Sequence, residues 1–287
     1  MTDDIPSVGI HRTEDHRYYI DGYGPLPGVT TILKMMDKSD VLVGWAKKET
    51  ASFALRHLDA LVDHRRHTLP VPECEPCAIN QKRRKPVGQQ EAARMWVSSI
   101  SDYKRDAAAD LGTRVHAIAE AMGKREDMLV EAELVPFAAQ YQRFLEYYDP
   151  EFLAIEYMGI NETHGYGGTG DIIARFRSGS LGVNAQQTLA IDIKTHTKLT
   201  PIPDTYYPET AMQLAACSRF DFIGREGDPE RHWMPSVDGH AVLLLGRDDY
   251  RLIPYAVTDE TFDAFLACLR LHKWRWGEAK TIVGSAA

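Results

Sequence analysis

At 287 residues, 44% apolar and 26% charged, the sequence has the composition of a globular protein and excludes disordered, collagenous and disulfide-scaffold chains. Its apolar runs fall far short of the ~18 residues a bilayer crossing needs, and Met1–Ile5 is acidic with no apolar signal core, so a cytoplasmic chain with no membrane partner is expected. The balance of 33 Lys and Arg against 41 Asp and Glu, net −8, argues against a general nucleic-acid coat but leaves room for a local basic groove beside an acidic centre.

The first forty residues read as a hairpin feeding a helix. His16–Ile20 is strand-like, Asp21-Gly22 is a turn signal, and the β-branched run Val29–Leu33 follows Pro25 and Pro27. Apolar residues at helical spacing cover 40–63. Residues 64–90 break the rhythm with four prolines and the run Lys82-Arg83-Arg84-Lys85, and are expected to form an exposed basic insertion. From 89 to 148 the chain reads as helix in pieces, interrupted at Leu111-Gly-Thr113. Strands are expected at 152–160, 168–177 and 188–194, a helix at 207–222, strands at 239–246 and 250–257, and an amphipathic helix at 258–276. This order predicts an α/β fold: one domain over 1–287, with an N-terminal hairpin and helical elaboration to 110, a mixed α/β core over 111–257, and a C-terminal helix and tail.

The chemistry concentrates between 165 and 194. In Ala190-Ile-Asp192-Ile-Lys194, alternation turns Asp192 and Lys194 to one face and Ile191 and Ile193 to the other. If the strand opening on Gly165-Tyr-Gly-Gly-Thr-Gly-Asp171 pairs antiparallel with it, Asp171 and Asp192 reach the same end of the sheet. Two close carboxylates repel, and a hard divalent cation, Mg²⁺ or Mn²⁺, relieves the repulsion. A lysine two residues beyond such a ligand can neutralise charge on a phosphoryl oxygen, so the unit suggests metal-dependent phosphodiester cleavage. A surface Asp–Lys ion pair is the plainer reading of D-x-K alone; the glycine-rich approach and apolar flanks weigh against it. The glycines also fit G-x-G-x-x-G, but a strand, Ile172–Phe176, follows where a dinucleotide site needs a helix. Upstream, Leu111, Val115, Ile118, Ala119 and Met122 form an apolar stripe with His116 at its margin and Glu120 one turn on.

These pieces together resemble the PD-(D/E)XK nucleases of the RecB-like branch, which includes phage exonucleases, CRISPR adaptation nucleases and a mitochondrial genome-maintenance exonuclease. Gly112-Thr-Arg-Val-His116 is similar to the family's G-x-x-x-H helix motif, Gly168-Thr-Gly-Asp171 to G-x-x-D, Ile191-Asp-Ile-Lys194 to D-x-K, and Gln213 to the motif on the following helix. Leu26-Pro-Gly-Val-Thr-Thr-Ile-Leu33 with Trp45-Ala46 is similar to the opening of the phage and mitochondrial members. The resemblance spans about residues 18–220. It implies a restriction-endonuclease-like αβββαβ core, with metal ligated by His116, Asp171, Asp192 and the Ile193 carbonyl. It also implies Lys194 as the catalytic lysine beside the two aspartates, and Gln213 orienting Lys194 or contacting the DNA backbone. Glu156 and Glu120 are second-tier acidic candidates, with solvated carboxylates as the alternative.

Two features depart from the family. Cys217 stands where a tyrosine often follows the glutamine, so that any tyrosine role passes to Tyr206 or Tyr207 or is absent. The trailing cysteines of iron–sulfur relatives are missing. Cys217 and Cys268 read as small buried helix residues, and Cys74-Glu-Pro-Cys77, one C-x-x-C pair, does not predict an iron–sulfur cluster or a zinc site.

DNA is the expected partner, as single strands or duplex ends. Arg65, Arg66, Lys82, Arg83, Arg84 and Lys85 would contact phosphates from a lid or arch, with Trp96 and Tyr103 stacking bases; a solvated linker is the alternative. No G-x-x-x-x-G-K-[ST] motif is present, so a recombination or replication partner would be a separate protein. The expectation is a Mg²⁺- or Mn²⁺-dependent DNA exonuclease, phage-encoded and working in replication or recombination in the host cytoplasm. A flap- or branch-cutting endonuclease and a non-catalytic DNA-binding protein are the alternatives.

Overall fold

The computed structural model describes residues 9–36, 39–66, 77, 80, 82, 85, 87–181, 185–196, 207–226 and 228–282; the side chains of 39–41 and Arg66 lie outside that description. The chain forms two compact units, one made of Met1–Met36 with Gly112–Ala287 and the other of Asp37–Leu111.

The first unit is mixed α/β. A small antiparallel sheet of β1 (Ile10–Arg12), β2 (Arg17–Ile20) and β3 (Tyr23–Pro27) opens it, followed by the short helix α1 (Val29–Leu33). The larger sheet has seven strands: β4 (Glu151–Asn161), β5 (Tyr166–Phe176), β6 (Gln187–Thr195), β7 (Phe222–Gly224), β8 (His232–Trp233), β9 (Gly239–Leu245) and β10 (Tyr250–Tyr255). Their spatial order is β10-β9-β6-β5-β4-β7-β8. All neighbours are antiparallel except β6 and β9, which run parallel. The parallel pair lies inside the sheet and is buried, and Leu189–Ile193 and Ala241–Leu245 are accordingly near-continuous apolar runs.

Helices cover both faces. Val29, Ile32 and Leu33 of α1 pack with Tyr157, Tyr166 and Ile173 of the sheet, together with Met212 and Ala216 of the helix Pro208–Cys217 and Phe265 and Leu269 of the helix Asp259–Trp276. Phe176, three residues from Ile173 and so on the opposite face, meets Tyr148 of the helix Val135–Tyr148, whose Phe144 reaches Tyr250. Ile10, Tyr18, Ile20 and Leu26 join the small sheet to Met158 and Ile160 of β4.

The second unit is helical: α2 (Ser39–Arg56), α3 (Leu58–Arg66) and most of α4 (Gln89–Lys124). The remaining helices are numbered α5 (Val135–Tyr148), α6 (Pro208–Cys217) and α7 (Asp259–Trp276).

Four local expectations change. The expected break at 111–113 is absent, because α4 runs unbroken for 36 residues through Gly112; one interior glycine costs only about 1 kcal/mol against the ladder around it. The helix stops instead at Arg125, whose φ is +58°. The expected 40–63 helix is two, parted at His57. The 207–222 helix ends at Cys217, and Phe222 joins β7, which pairs with β4 at Gly159↔Ile223. β1 and β8, three and two residues long, are too short to carry a periodic signal.

Candidate metal centre

Three neighbouring strands bring the acidic residues into one row. The pairs Ile155↔Ile172 and Tyr157↔Gly170 bracket Glu156 and Asp171, which therefore lie opposite each other. The β5–β6 ladder ends at Ile172↔Ile191, and one further step in that register sets Asp192 opposite Asp171. Past this point β5 leaves β6, which continues beside β9 alone to Thr195.

Side chains take over the edge that β5 leaves. The Asp171 carboxylate accepts the Ile193 N–H at 2.6 Å, and His116 Nε2 from α4 lies 3.0 Å from the Ile193 carbonyl oxygen. The other ring nitrogen, Nδ1, is 3.2 Å from Glu156 Oε1 and 3.7 Å from Asp171 Oδ1. One ligand atom each from His116, Glu156 and Asp171 falls within 4.8 Å of the others, a grouping fit for a metal ion. Glu156 occupies a left-handed backbone conformation, φ +45°, in a strand whose register shifts between Phe152 and Ala154.

Electrostatics follow from this crowding. Burial alone would lower the His116 pKa. The hydrogen bond to Glu156, the charges of Asp171 and Glu156, and the Ile193 carbonyl together overcome it and raise the pKa to about 9. Asp171 is pushed up by burial and by Glu156, with His116 and Lys194 opposing. Asp192, 4% exposed, is pushed up to about 6 by burial, Lys194 opposing and Asp171 adding. Its Oδ2 pairs with Lys194 Nζ at 2.5 Å. Burial works against the Lys194 ammonium, but Asp192 and Asp171 prevail and hold it charged. Three carboxylates thus face two cationic side chains.

Gln213 on α6 lines a small cavity of about 10 Å³ with Asp171, Asp192, Tyr157 and Cys217. The Cys217 thiol is buried and donates to the Thr169 carbonyl at 3.3 Å, and Cys268 is half-buried. The glycines before Asp171 serve packing: a Cβ at Gly168 would sit 2.8 Å from Val29 Cγ2, and one at Gly170 would collide with the Tyr157 hydroxyl.

Glu120 is turned along its own helix to Lys124, and sequence reading ranked Glu156 with it although Glu156 is a corner of the cluster. Tyr141 of α5 escaped sequence reading altogether. Its hydroxyl is buried without a hydrogen-bond partner among the described residues, and burial together with Glu156 and Asp171 raises its pKa. Its only sequence signal is the buried stripe Phe137, Tyr141, Phe144.

Of the expected DNA contacts, Arg65, Lys82 and Lys85 are exposed, and Tyr207 is half-exposed at the start of α6. Arg83, Arg84, Tyr206 and the Arg66 side chain lie outside the described residues, as does Cys74. Trp96 is corrected: it is 7% exposed, edge-on to Phe53 and His57, and offers no stacking face, whereas Tyr103 is exposed. Among the described residues no helix is long and apolar enough to cross a membrane. No family model matches the sequence, and no curated protein matches it.

Proposed function

We propose that the chain is a Mg²⁺- or Mn²⁺-dependent deoxyribonuclease of the PD-(D/E)XK superfamily, RecB-like branch, that hydrolyses phosphodiester bonds from DNA ends in replication or recombination. Its restriction-endonuclease-like αβββαβ core would be α4, β4, β5, β6, α6 and β9. One observation carries the reading: His116, Glu156 and Asp171 meet at the Ile193 peptide, one strand position from the Asp192–Lys194 pair.

The donor set fits a divalent cation. It offers one imidazole nitrogen, carboxylate oxygens and a backbone carbonyl, and its carboxylates outnumber its cationic side chains. His116, Asp171 and the Ile193 carbonyl would hold the ion, with Glu156 and Asp192 completing the acidic shell. A divalent ion there supplies Lewis acidity toward a phosphoryl oxygen and lowers the pKa of water. Lys194, two-fifths exposed and held charged, would stabilise negative charge developing on a phosphate oxygen. Asp192 fixes that ammonium in position, and Gln213 borders the same cavity from α6. Arg65, Lys82 and Lys85 supply sequence-independent phosphate contacts. A replication or recombination protein on a separate chain is the proposed protein partner.

End-labelled single- and double-stranded DNA, with Mg²⁺ or Mn²⁺ and an EDTA control, tests this beside covalently closed single-stranded circles. Linear substrates are expected to shorten from their ends while circles survive. Cut circles would reassign the protein as an endonuclease. Absence of hydrolysis with either metal would leave a DNA-binding protein and refute the proposal.

A further inference from the structure

A cavity of about 630 Å³ opens in the α/β unit between the β2–β3 hairpin and the end of α7 with the turn Glu278–Thr281. Leu26, Pro27 and Gly28 line one side, and Arg17, Trp276 and Lys280 bring charge and an indole to it. Every lining residue belongs to this one unit. The volume is of the small-ligand class, with room for a nucleotide and too little for a base-paired duplex.

The end of α7 is basic and aromatic. Residues 270–280 carry Arg270, Lys273, Arg275 and Lys280 against Glu278 alone, in a chain of net charge −8, and Trp274 and Trp276 are interleaved with these cations. Arg270 has Glu278 3.9 Å away and Lys273 donates to the His164 carbonyl, whereas Lys280 makes no ion pair among the described residues. Arg17 pairs with Asp15 at 2.7 Å, but both side chains are more than half exposed. An exposed pair of this kind is weak, so a phosphate can draw Arg17 away. Trp276 is 56% exposed, with the Arg275 guanidinium 5.4 Å from the centre of its ring.

An unpaired cation and an accessible indole in one cavity match a polynucleotide strand, whose phosphates seek the first and whose base faces seek the second. We propose that the cavity anchors one nucleotide of a single-stranded DNA. Its base stacks on the Trp276 face away from Arg275, and its phosphate lies between Lys280 and Arg17. The position suits the neighbouring site. Gly28, on the cavity wall, bridges Gly167 of β5, which precedes Asp171 by about 13 Å along the strand. DNA held here is within a few nucleotides of the metal centre. The choice of DNA rests on the nuclease reading; the stacking and charge chemistry of the cavity does not.

The test is fluorescence anisotropy of a short labelled oligothymidylate with the unaltered chain in EDTA, where binding is read without hydrolysis. Trp276→Ala is expected to weaken binding at least about fivefold, and Trp276→Phe to keep most of the affinity, because any aromatic face stacks. Lys280→Glu is expected to weaken it by a similar factor, and Lys280→Ala to reduce the salt slope by about 0.7, one phosphate contact. Trp274→Ala, on the same helix but outside the cavity, should bind within about twofold of the unaltered chain, and a blunt duplex should lose less than about twofold to Trp276→Ala. Single-strand binding unmoved in both Trp276→Ala and Lys280→Glu would overturn the proposal. So would equal losses on the duplex or in Trp274→Ala, a loss in Trp276→Phe as large as in Trp276→Ala, tighter binding of oligouridylate, or no binding of the oligothymidylate. The nuclease reading fails separately: DNA left uncut by a chain that binds through Trp276 and Lys280 would refute hydrolysis alone. Cutting with binding indifferent to both residues would refute the anchor alone.

Discussion

Raising the pH should tighten divalent-metal binding at the His116–Glu156–Asp171 cluster, and His116 sets the size of the effect. Both its ring nitrogens face acceptors, Glu156 Oε1 and the Ile193 carbonyl, and its pKa stands at about 9. A protonated imidazole cannot ligate. At pH 7, two units below that value, removing the proton costs about 2.7 kcal/mol, or roughly a hundredfold in affinity. Affinity for Mg²⁺ or Mn²⁺ should therefore rise roughly tenfold per pH unit from 7 to 9 and level off above. Asp192, at about 6, contributes a second proton only in more acid solution. Stability moves the opposite way. The folded pKa of His116 lies above its ordinary 6.5, so the imidazolium stabilises the metal-free fold fully below pH 6.5, and that contribution, on the order of 3 kcal/mol, is lost as pH rises to about 9. The metal-free Tm should fall over the interval in which the Tm gained from metal grows. Titration calorimetry in two buffers of different ionisation enthalpy counts the protons: about one released per metal near pH 7.5, and none from His116→Ala. Affinity independent of pH between 7 and 9, or equal proton release from His116→Ala, would refute the reasoning.

Lys194→Ala and Asp192→Ala should each slow single-turnover DNA cleavage by at least roughly a hundredfold, while DNA binding by gel shift persists; full cleavage by Lys194→Ala would sink the proposed function. Glu156→Gln removes a charge and a hydrogen bond from His116, so the imidazole titration followed by NMR should move below about 9, and an unmoved titration would remove Glu156 from the cluster. Gly170→Ala drives a Cβ into the Tyr157 hydroxyl and should cost about 1–3 kcal/mol in denaturant unfolding. Tyr157→Phe in that background should recover part of the loss, since the ring carbons behind the hydroxyl remain close, and strict additivity of the two substitutions would show that the hydroxyl takes no part in the clash.

The strands that carry the site were legible because their composition is unambiguous. Leu189, Ile191 and Ile193 alternate with Asp192 and Lys194 as a strand does, and antiparallel pairing with Ile172–Phe176, a condition in the sequence reading, is what the ladder shows, with Asp171 one step beyond it opposite Asp192. His116 was legible from the apolar stripe it borders. Glu156 ranked lower than its position warrants, because its place depends on a register shift near Phe152 and a left-handed φ, which alternation cannot express. Trp96 looked like an exposed stacking residue beside a basic run, yet burial against Phe53 and His57 is a tertiary fact.

The cluster lies at Ile193 for a reason rooted in the backbone. Strands that part leave unpaired N–H and C=O groups, and a buried peptide cannot remain so. Here β5 leaves β6 just after Ile172↔Ile191, and the Ile193 peptide is met by one acceptor, Asp171, and one donor, His116. The two carboxylate oxygens of Asp171 are thereby divided. Oδ2 is held by the Ile193 N–H, which fixes the rotamer, while Oδ1 faces Nδ1 of His116 at 3.7 Å. On the His116 side, the proton on Nε2 bridges to the Ile193 carbonyl, and the proton on Nδ1 bridges to Glu156. Positive charge on the imidazole therefore stands where three oxygen donors converge. Exchange of a proton for a divalent cation would conserve the geometry of Asp171 and Ile193 and remove the excess of carboxylates over cationic side chains. Strand separation thus supplies a pre-oriented donor set at the Ile193 peptide.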